Sequence, residues 1–312
     1  MKIGSLLDGV IAKLESLEKW LGIKPPAEDP TQLQWKYWRQ ALLQTKKAIG
    51  DKNLGILAAG VAYFATLSFF PLMVALVSIS AFFIKPDQLQ DIVAAANIYL
   101  PKDIASLITT QLTTLIDKPS VSLVAGIIAI LIALWGISGA VENLVKALNT
   151  AYGVRETRNF FTMKLTSLSL TAGTVVLLLI FIPMMGITED WLAGLGVPGY
   201  LVMFLSIVRW LLLIGIIMLA LAVLYRYGPN RQNPKWQWVS WGAIAATVLW
   251  LLATIAFFVY ARYFAHFSDS YSLFAGIIVM MTWFNLSALT FLIGAEVNHN
   301  LEKQTNADTT EN

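Results

Sequence analysis

The sequence contains no cysteine among its 312 residues. Disulfides, thiolate metal sites and cysteine nucleophiles are therefore excluded together. Charge is scarce as well. Asp, Glu, Lys and Arg make up 13% of the chain, where a soluble globular protein carries roughly 25%. So few polar groups cannot cover the surface of a water-soluble domain of this size. Histidine occurs only at His266 and His299, in no HxH or HExxH pattern, so a zinc or two-metal hydrolase lacks its clustered ligands. No phosphate-cradling glycine-rich motif is present, which argues against an ATP-driven pump subunit. A net charge of +3 is too small to point to nucleic acid.

What is abundant is apolar. Hydrophobic residues reach 57% and the mean hydropathy is +0.66, which excludes intrinsic disorder. The apolar residues fall in six stretches, at 54–84, 121–141, 163–187, 200–225, 238–263 and 271–297. Each reaches the roughly 20 residues needed to cross about 30 Å of hydrocarbon. The runs are continuous and do not alternate, so they read as helices and not as barrel strands.

The first stretch is too long for one straight crossing, since its 31 residues make about 46 Å of helix. Pro71 lies inside it and lacks the N–H for the helical ladder. The reading is a tilted span kinked or broken near Phe70–Pro71, with a re-entrant pair as the alternative. Small residues at Ala58, Ala62 and Thr66 repeat every four positions, with Gly55 and Ala59 one register away; such a stripe lets helix backbones approach closely.

Basic residues set the orientation. Seventeen of the 22 Lys and Arg fall before span one, between spans two and three, between four and five, or in the tail. Four (Lys85, Lys102, Lys118 and Arg262) fall on the other side, and Arg209 lies within span four. The positive-inside rule then places both termini in the cytoplasm, as an even number of spans requires.

No secretory signal is expected. Residues 5–23 are amphipathic, with Leu7, Val10, Leu14, Leu17 and Leu21 on one helical face and Ser5 with Asp8 as a cap pair. This helix either packs on its own protein or a neighbouring subunit, or lies in the membrane interface. Residues 85–120 carry two apolar helical stripes separated by Pro101 and read as an external helical hairpin. The expected fold is all-α. Residues 1–50 form cytoplasmic amphipathic helices, 51–301 a six-span transmembrane domain, and 302–312 a flexible tail.

Ionisable groups inside spans are expensive and hence functional candidates. Arg209 sits about nine residues into span four; either it snorkels to the outer interface or the span starts later, or it faces the bundle interior and binds an anion or pairs with a carboxylate. Asn285 and Glu296, with Leu289 and Leu292 between them, share one face of span six. That face serves either helix packing or a substrate path. Glu142 and Asn149 follow span two and are candidates to face a cytoplasmic vestibule shared with Glu296. Tyr63 and Ser68 complete the candidate polar path, and Pro71 is the candidate hinge. No catalytic or metal-ligating set is found.

Four segments carry a family resemblance: AAGVAYFATLSFFPLM (58–73), SGAVENLVKALNTAYGVRETRNFF (138–161), LYRYGPN (224–230) and YSLFAGIIVMMTWFNLSALTFLIGAEVNHNL (271–301). They resemble the YihY/BrkB family of bacterial inner-membrane proteins over about residues 45–301, with Ser272 where glycine is common. The resemblance implies an all-α, six-span fold, envelope-related or virulence-related roles, and transport of lipids or other amphiphiles for some members. The family has carried the label ribonuclease BN, to which these residues lend no support.

Together these observations lead to a multi-pass protein of the bacterial inner membrane that moves or binds an amphiphilic, anionic substrate such as a lipid. It is expected to be no enzyme, to need no cofactor, and to have membrane lipids as partners, with a homo-oligomer left open. One alternative is a non-catalytic envelope scaffold whose amphipathic N-terminus recruits a partner. Another is a membrane-associated nuclease.

Overall fold

The computed structural model describes residues 30–80, 119–231, 236–264 and 272–304. The amphipathic helix expected over 5–23, the external hairpin up to residue 118 and the tail beyond 304 lie outside the described residues. All described elements are helical. A 3-10 turn (Pro30–Gln32) precedes α1 (Trp35–Asp51) and α2 (Leu54–Ser80). Then come α3 (Pro119–Tyr152), α4 (Phe160–Gly186) and the short α5 (Glu189–Gly194). The chain ends with α6 (Gly199–Tyr227), α7 (Trp236–Phe264) and α8 (Ser272–Glu302).

Four of these helices, α4, α6, α7 and α8, are long and apolar enough to cross a membrane among the described residues, or five if a bent pair counts as one span. The expected six are therefore not reached there. α3 carries the second apolar stretch and runs on without interruption to Tyr152, so Glu142 and Asn149 lie on the span-two helix itself.

The bent pair is α1 and α2, which meet at 66°. The bend lies before the first apolar stretch, and no break interrupts that stretch near Phe70–Pro71. α2 runs continuously through Pro71, and the chain turns instead at Lys52–Asn53, where Asn53 takes a left-handed φ of 52°. Asparagine tolerates that region better than most residues. The described span-one segment is thus one helix, which excludes a re-entrant break near Phe70–Pro71. α1 is amphipathic and buries Ala41, Thr45 and Ala48, while Trp38 stacks edge-on against Trp241 of α7 at 5.2 Å.

α8 occupies the middle of the bundle, packing on α1, α2, α3 and α7. Small residues recur in the core where helices meet: Ala58 of α2, Ala147 and Ala151 of α3, Ala243 and Ala246 of α7, Ala288 and Ala295 of α8. Close approach gains dispersion contacts that lipid cannot supply, and the Ala58–Ala62–Thr66 stripe is buried as the spacing requires. At Gly294 an added Cβ would lie 2.5 Å from the Ala246 Cβ and 2.7 Å from the Gly242 carbonyl oxygen, so α7 and α8 touch backbone to side chain. α4 and α6 are peripheral. They expose Leu165, Leu179, Met203, Phe204, Leu211 and Leu212, which suits contact with acyl chains.

Candidate functional site

The last two turns of α8 carry Glu296, Asn298, His299, Asn300 and Glu302, all buried. A polar run of this kind would face water at the end of an isolated span. Here α1, α2, α3 and α7 close around it, so each group must find a partner inside the protein.

Glu296 finds its partner in the elbow. Lys52 Nζ lies 2.6 Å from the Glu296 carboxylate and donates to the Ala151 carbonyl at the end of α3, also at 2.6 Å. Asn300 Nδ2 donates to the other carboxylate oxygen at 3.2 Å and to Thr45 Oγ1 of α1 at 3.1 Å. One carboxylate thereby ties together α1, the elbow, α3 and α8.

Glu302 forms a second buried pair. Arg231 Nη1 donates to both of its oxygens at 3.0 Å, and both side chains are fully enclosed. Arg231 Nη2 donates to the Tyr225 carbonyl at 3.2 Å. Its guanidinium also lies 4.0 Å from the Tyr152 ring centroid, a cation–π contact strengthened by desolvation. The Tyr152 hydroxyl accepts from Asn298 Nδ2 at 3.0 Å, and Asn298 Oδ1 accepts the Gly242 N–H at 2.6 Å. Gly242 is required there, since a Cβ would overlap the Asn298 amide. Burial pushes the Tyr152 phenol up to about 12, so it stays neutral.

The loop after α3 latches onto this network. Gly153 adopts φ +68°, and the Val154 and Gly153 N–H groups donate back to Asn149 and Thr150, a Schellman ending that requires glycine at the left-handed position. Glu156 accepts from Arg158 at 2.7–2.8 Å and from Asn149 at 2.7 Å. Those hydrogen bonds, Arg158 first, hold its carboxyl below the usual carboxylate range. Arg158 Nη2 also donates to the Gly228 carbonyl at 2.9 Å, and Asn149 Oδ1 accepts the Asn230 N–H at 2.8 Å.

Further along α8 from this network, an apolar cleft of about 180 Å³ opens between α2, α3 and α8. Val61 and Ala65 line it from α2; Ala140, Val141 and Leu144 from α3; Phe284, Ser287, Ala288 and Phe291 from α8. Ser287 is the one hydroxyl among them, and it already accepts a hydrogen bond from Trp250 Nε1 at 2.9 Å. Nothing in this lining recognises charge. It offers a dry slot, and a cavity of roughly 150 Å³ lined by apolar side chains is enough for a benzene-sized guest.

The candidate residues from the sequence do not converge on one path. Glu296 lies in the network. Asn285 is half-buried on α8, eleven residues from it, about 16 Å along the axis. Ser68 is buried, donates to the Phe64 carbonyl at 2.6 Å and sits against Gly136. Tyr63 is exposed and stacks on Phe64. Pro71 lies within α2. Arg209 is on peripheral α6, seventeen residues or about 25 Å from Arg226 at its basic end.

Sequence reasoning missed Lys52, Tyr152, Arg231, Asn298 and Glu302. Lys52 and Arg231 had been counted only as orienting charges. The available signal was the alternation of Glu296, Asn298, Asn300 and Glu302 at the end of an apolar helix. Among the described residues, no group of three or more His, Asp or Glu is placed to hold a metal ion.

Comparison with known proteins yields three findings. The family model described as Virulence factor BrkB matches residues 45–312. The putative ribonuclease-like protein YfkH of Bacillus subtilis (strain 168) is 32% identical over 253 residues, covering 79% of this chain and 90% of that one. A UPF0761 membrane protein of Idiomarina loihiensis is 32% identical over 98 residues, 31% of this chain and 34% of that one. No solved structure matches.

Proposed function

Since the chain belongs to the Virulence factor BrkB family and is a membrane protein, we propose that it binds and moves an amphiphile, with the α2–α3–α8 cleft taking part of an acyl chain. The carrying observation is the cleft itself: an apolar slot between three central helices, with the Lys52–Glu296 pair on the same α8 helix tying it to the α1–α2 elbow. A cleft of this size takes a chain segment and not a whole molecule, so the polar remainder of the ligand lies outside it. The basic end of the bundle faces the cytoplasm of the bacterial inner membrane, in keeping with the distribution of Lys and Arg.

The name of the Bacillus relative includes the words ribonuclease-like. In this chain Glu296 and Glu302 are each committed to a basic partner within the bundle. Carboxylates so engaged are poor general bases, so these two offer no support for a hydrolytic role.

The test is reconstitution. Purified protein in liposomes with a fluorescent phospholipid should speed its transbilayer movement over protein-free vesicles. Ala288→Phe and, independently, Val141→Phe fill the cleft and should slow it at least fivefold while the protein still unfolds cooperatively. Flux unchanged in both variants would remove the cleft from the mechanism.

A further inference from the structure

The helix before the first apolar stretch is not built to cross a membrane. α1 holds Lys36, Arg39, Lys46, Lys47 and Asp51 among its 17 residues, too much charge for a hydrocarbon segment. It meets α2 at 66°. With α2 standing across the bilayer, α1 runs nearer to the membrane plane than to its normal.

The register of α1 divides it into three faces, each at the i, i+4, i+7 spacing of one side of a helix. Ala41, Thr45 and Ala48 are buried against the bundle, and Thr45 Oγ1 accepts from Asn300 of α8 at 3.1 Å. Gln40, Gln44, Lys47 and Asp51 form an exposed polar face. Its one cation lies 4.0 Å from its one anion, so that face carries no net charge. Trp35, Arg39, Leu42 and Lys46 form the third face, with Leu43 beside them. Trp35 is 73% exposed, Leu42 48% and Leu43 54%, and Arg39 and Lys46 are exposed as well.

The third face suits neither water nor hydrocarbon. Water would leave three large apolar side chains uncovered on one side of a helix, and hydrocarbon would strand two cations. The headgroup layer accommodates both. Indole rings favour that depth, leucines reach the acyl boundary, and Arg and Lys lay their stems along apolar surface while the charged ends stay among the phosphates. With two cations and no acid on the face, the matching surface is an anionic one.

We infer that this face of α1 docks on the anionic phospholipid headgroups of the leaflet at the basic end of the bundle. Arg39 and Lys46 engage lipid phosphates, Trp35, Leu42 and Leu43 sink toward the acyl boundary, and Gln40 and Gln44 remain in water. The bond between Thr45 and Asn300 makes α1 a fixed strut and not a loose tether, so the docked face sets how deeply the bundle sits in that leaflet. The inference does not depend on the α2–α3–α8 cleft or on what it holds.

The experiment uses the full chain, which has no cysteine and so takes a thiol-reactive label at one chosen position. Leu42→Cys and, separately, Gln44→Cys carry an environment-sensitive NBD fluorophore in nanodiscs of phosphatidylcholine with or without phosphatidylglycerol. With phosphatidylglycerol, the label at position 42 should be at least about threefold brighter than the label at position 44 and should be quenched by lipids bearing a nitroxide just below the headgroup. Omitting phosphatidylglycerol, or adding salt to about 0.5 M, should dim it about twofold or more, because the attraction is screened; the label at position 44 should respond to neither. Arg39→Gln with Lys46→Gln should remove the phosphatidylglycerol effect and leave the melting temperature in detergent unchanged, since both side chains are exposed. Four results would each overturn the assignment. They are a label at position 42 that lipid-borne nitroxide does not quench, as when protein covers the face; brightening by single-stranded RNA in phosphatidylcholine discs but not by phosphatidylglycerol; a phosphatidylglycerol effect that survives the double substitution; and a lowered melting temperature of that variant.

Discussion

Replacing Lys52 by methionine should be among the most damaging single changes outside the apolar core. The side chain keeps its length, but the Glu296 carboxylate, fully enclosed and 2.6 Å from Lys52 Nζ, loses its counter-charge. Breaking a buried pair by removing one partner costs about 3–5 kcal/mol, because the remaining charge stays desolvated. Lys52 is itself 26% exposed, so water can partly replace it, and about 3 kcal/mol is the expected loss. The bond to the Ala151 carbonyl disappears as well, freeing the elbow from α3. Glu296→Gln in the Lys52→Met background should restore most of the loss, since a neutral amide needs no counter-charge and can still face Asn300. Thermal unfolding in detergent, followed by tryptophan fluorescence, would show a fall of roughly 6–12 °C for the single variant and a smaller one for the double. If the two changes simply add, or if Lys52→Met shifts the midpoint by less than about 1 kcal/mol, Glu296 is not held by the lysine and the network reasoning fails.

Gly294→Ala should destabilise by about 2 kcal/mol or more through overpacking, because the new methyl meets the Gly242 carbonyl oxygen at 2.7 Å and the Tyr225 hydroxyl at 2.6 Å; an unchanged melting curve would show that α7 and α8 separate freely. The Glu156 latch should respond to acid. Its carboxyl is held below the usual range by Arg158, so its contribution is present above the unfolded value of about 4.3 and fades as pH falls through the lower folded value. Amide protection factors across residues 153–159, corrected for the intrinsic rate at each pH, should fall in that acid window, and Glu156→Gln should remove the pH dependence; a latch equally protected throughout would contradict the assignment.

How much of this was legible in the residues follows from what each signal measures. Long apolar runs fix helix in lipid whatever the neighbours do, because backbone polar groups in hydrocarbon must be satisfied within the segment. That argument reached α4, α6, α7 and α8, and the four-residue stripe of Ala58, Ala62 and Thr66 announced a buried face. The proline rule points to a kink or break at Pro71; no break falls there, because the helix continues through it. The turn falls at Asn53, whose tolerance of the left-handed region permits a turn without requiring one. Charge counting takes Lys52 and Arg231 as end-of-span cations, but it cannot see that each closes on a buried carboxylate. Glu296 and Arg209 could both be named as costly, yet which of them has a partner depends on residues far away in the chain. The sequence by itself determined an apolar, all-helical membrane chain with its basic residues gathered at one end, since these follow from local periodicity and the cost of exposing peptide groups to lipid. Only the tertiary structure decided that Lys52 closes on Glu296 and that Arg231 closes on Glu302, because pairing inside a bundle is set by which helices touch.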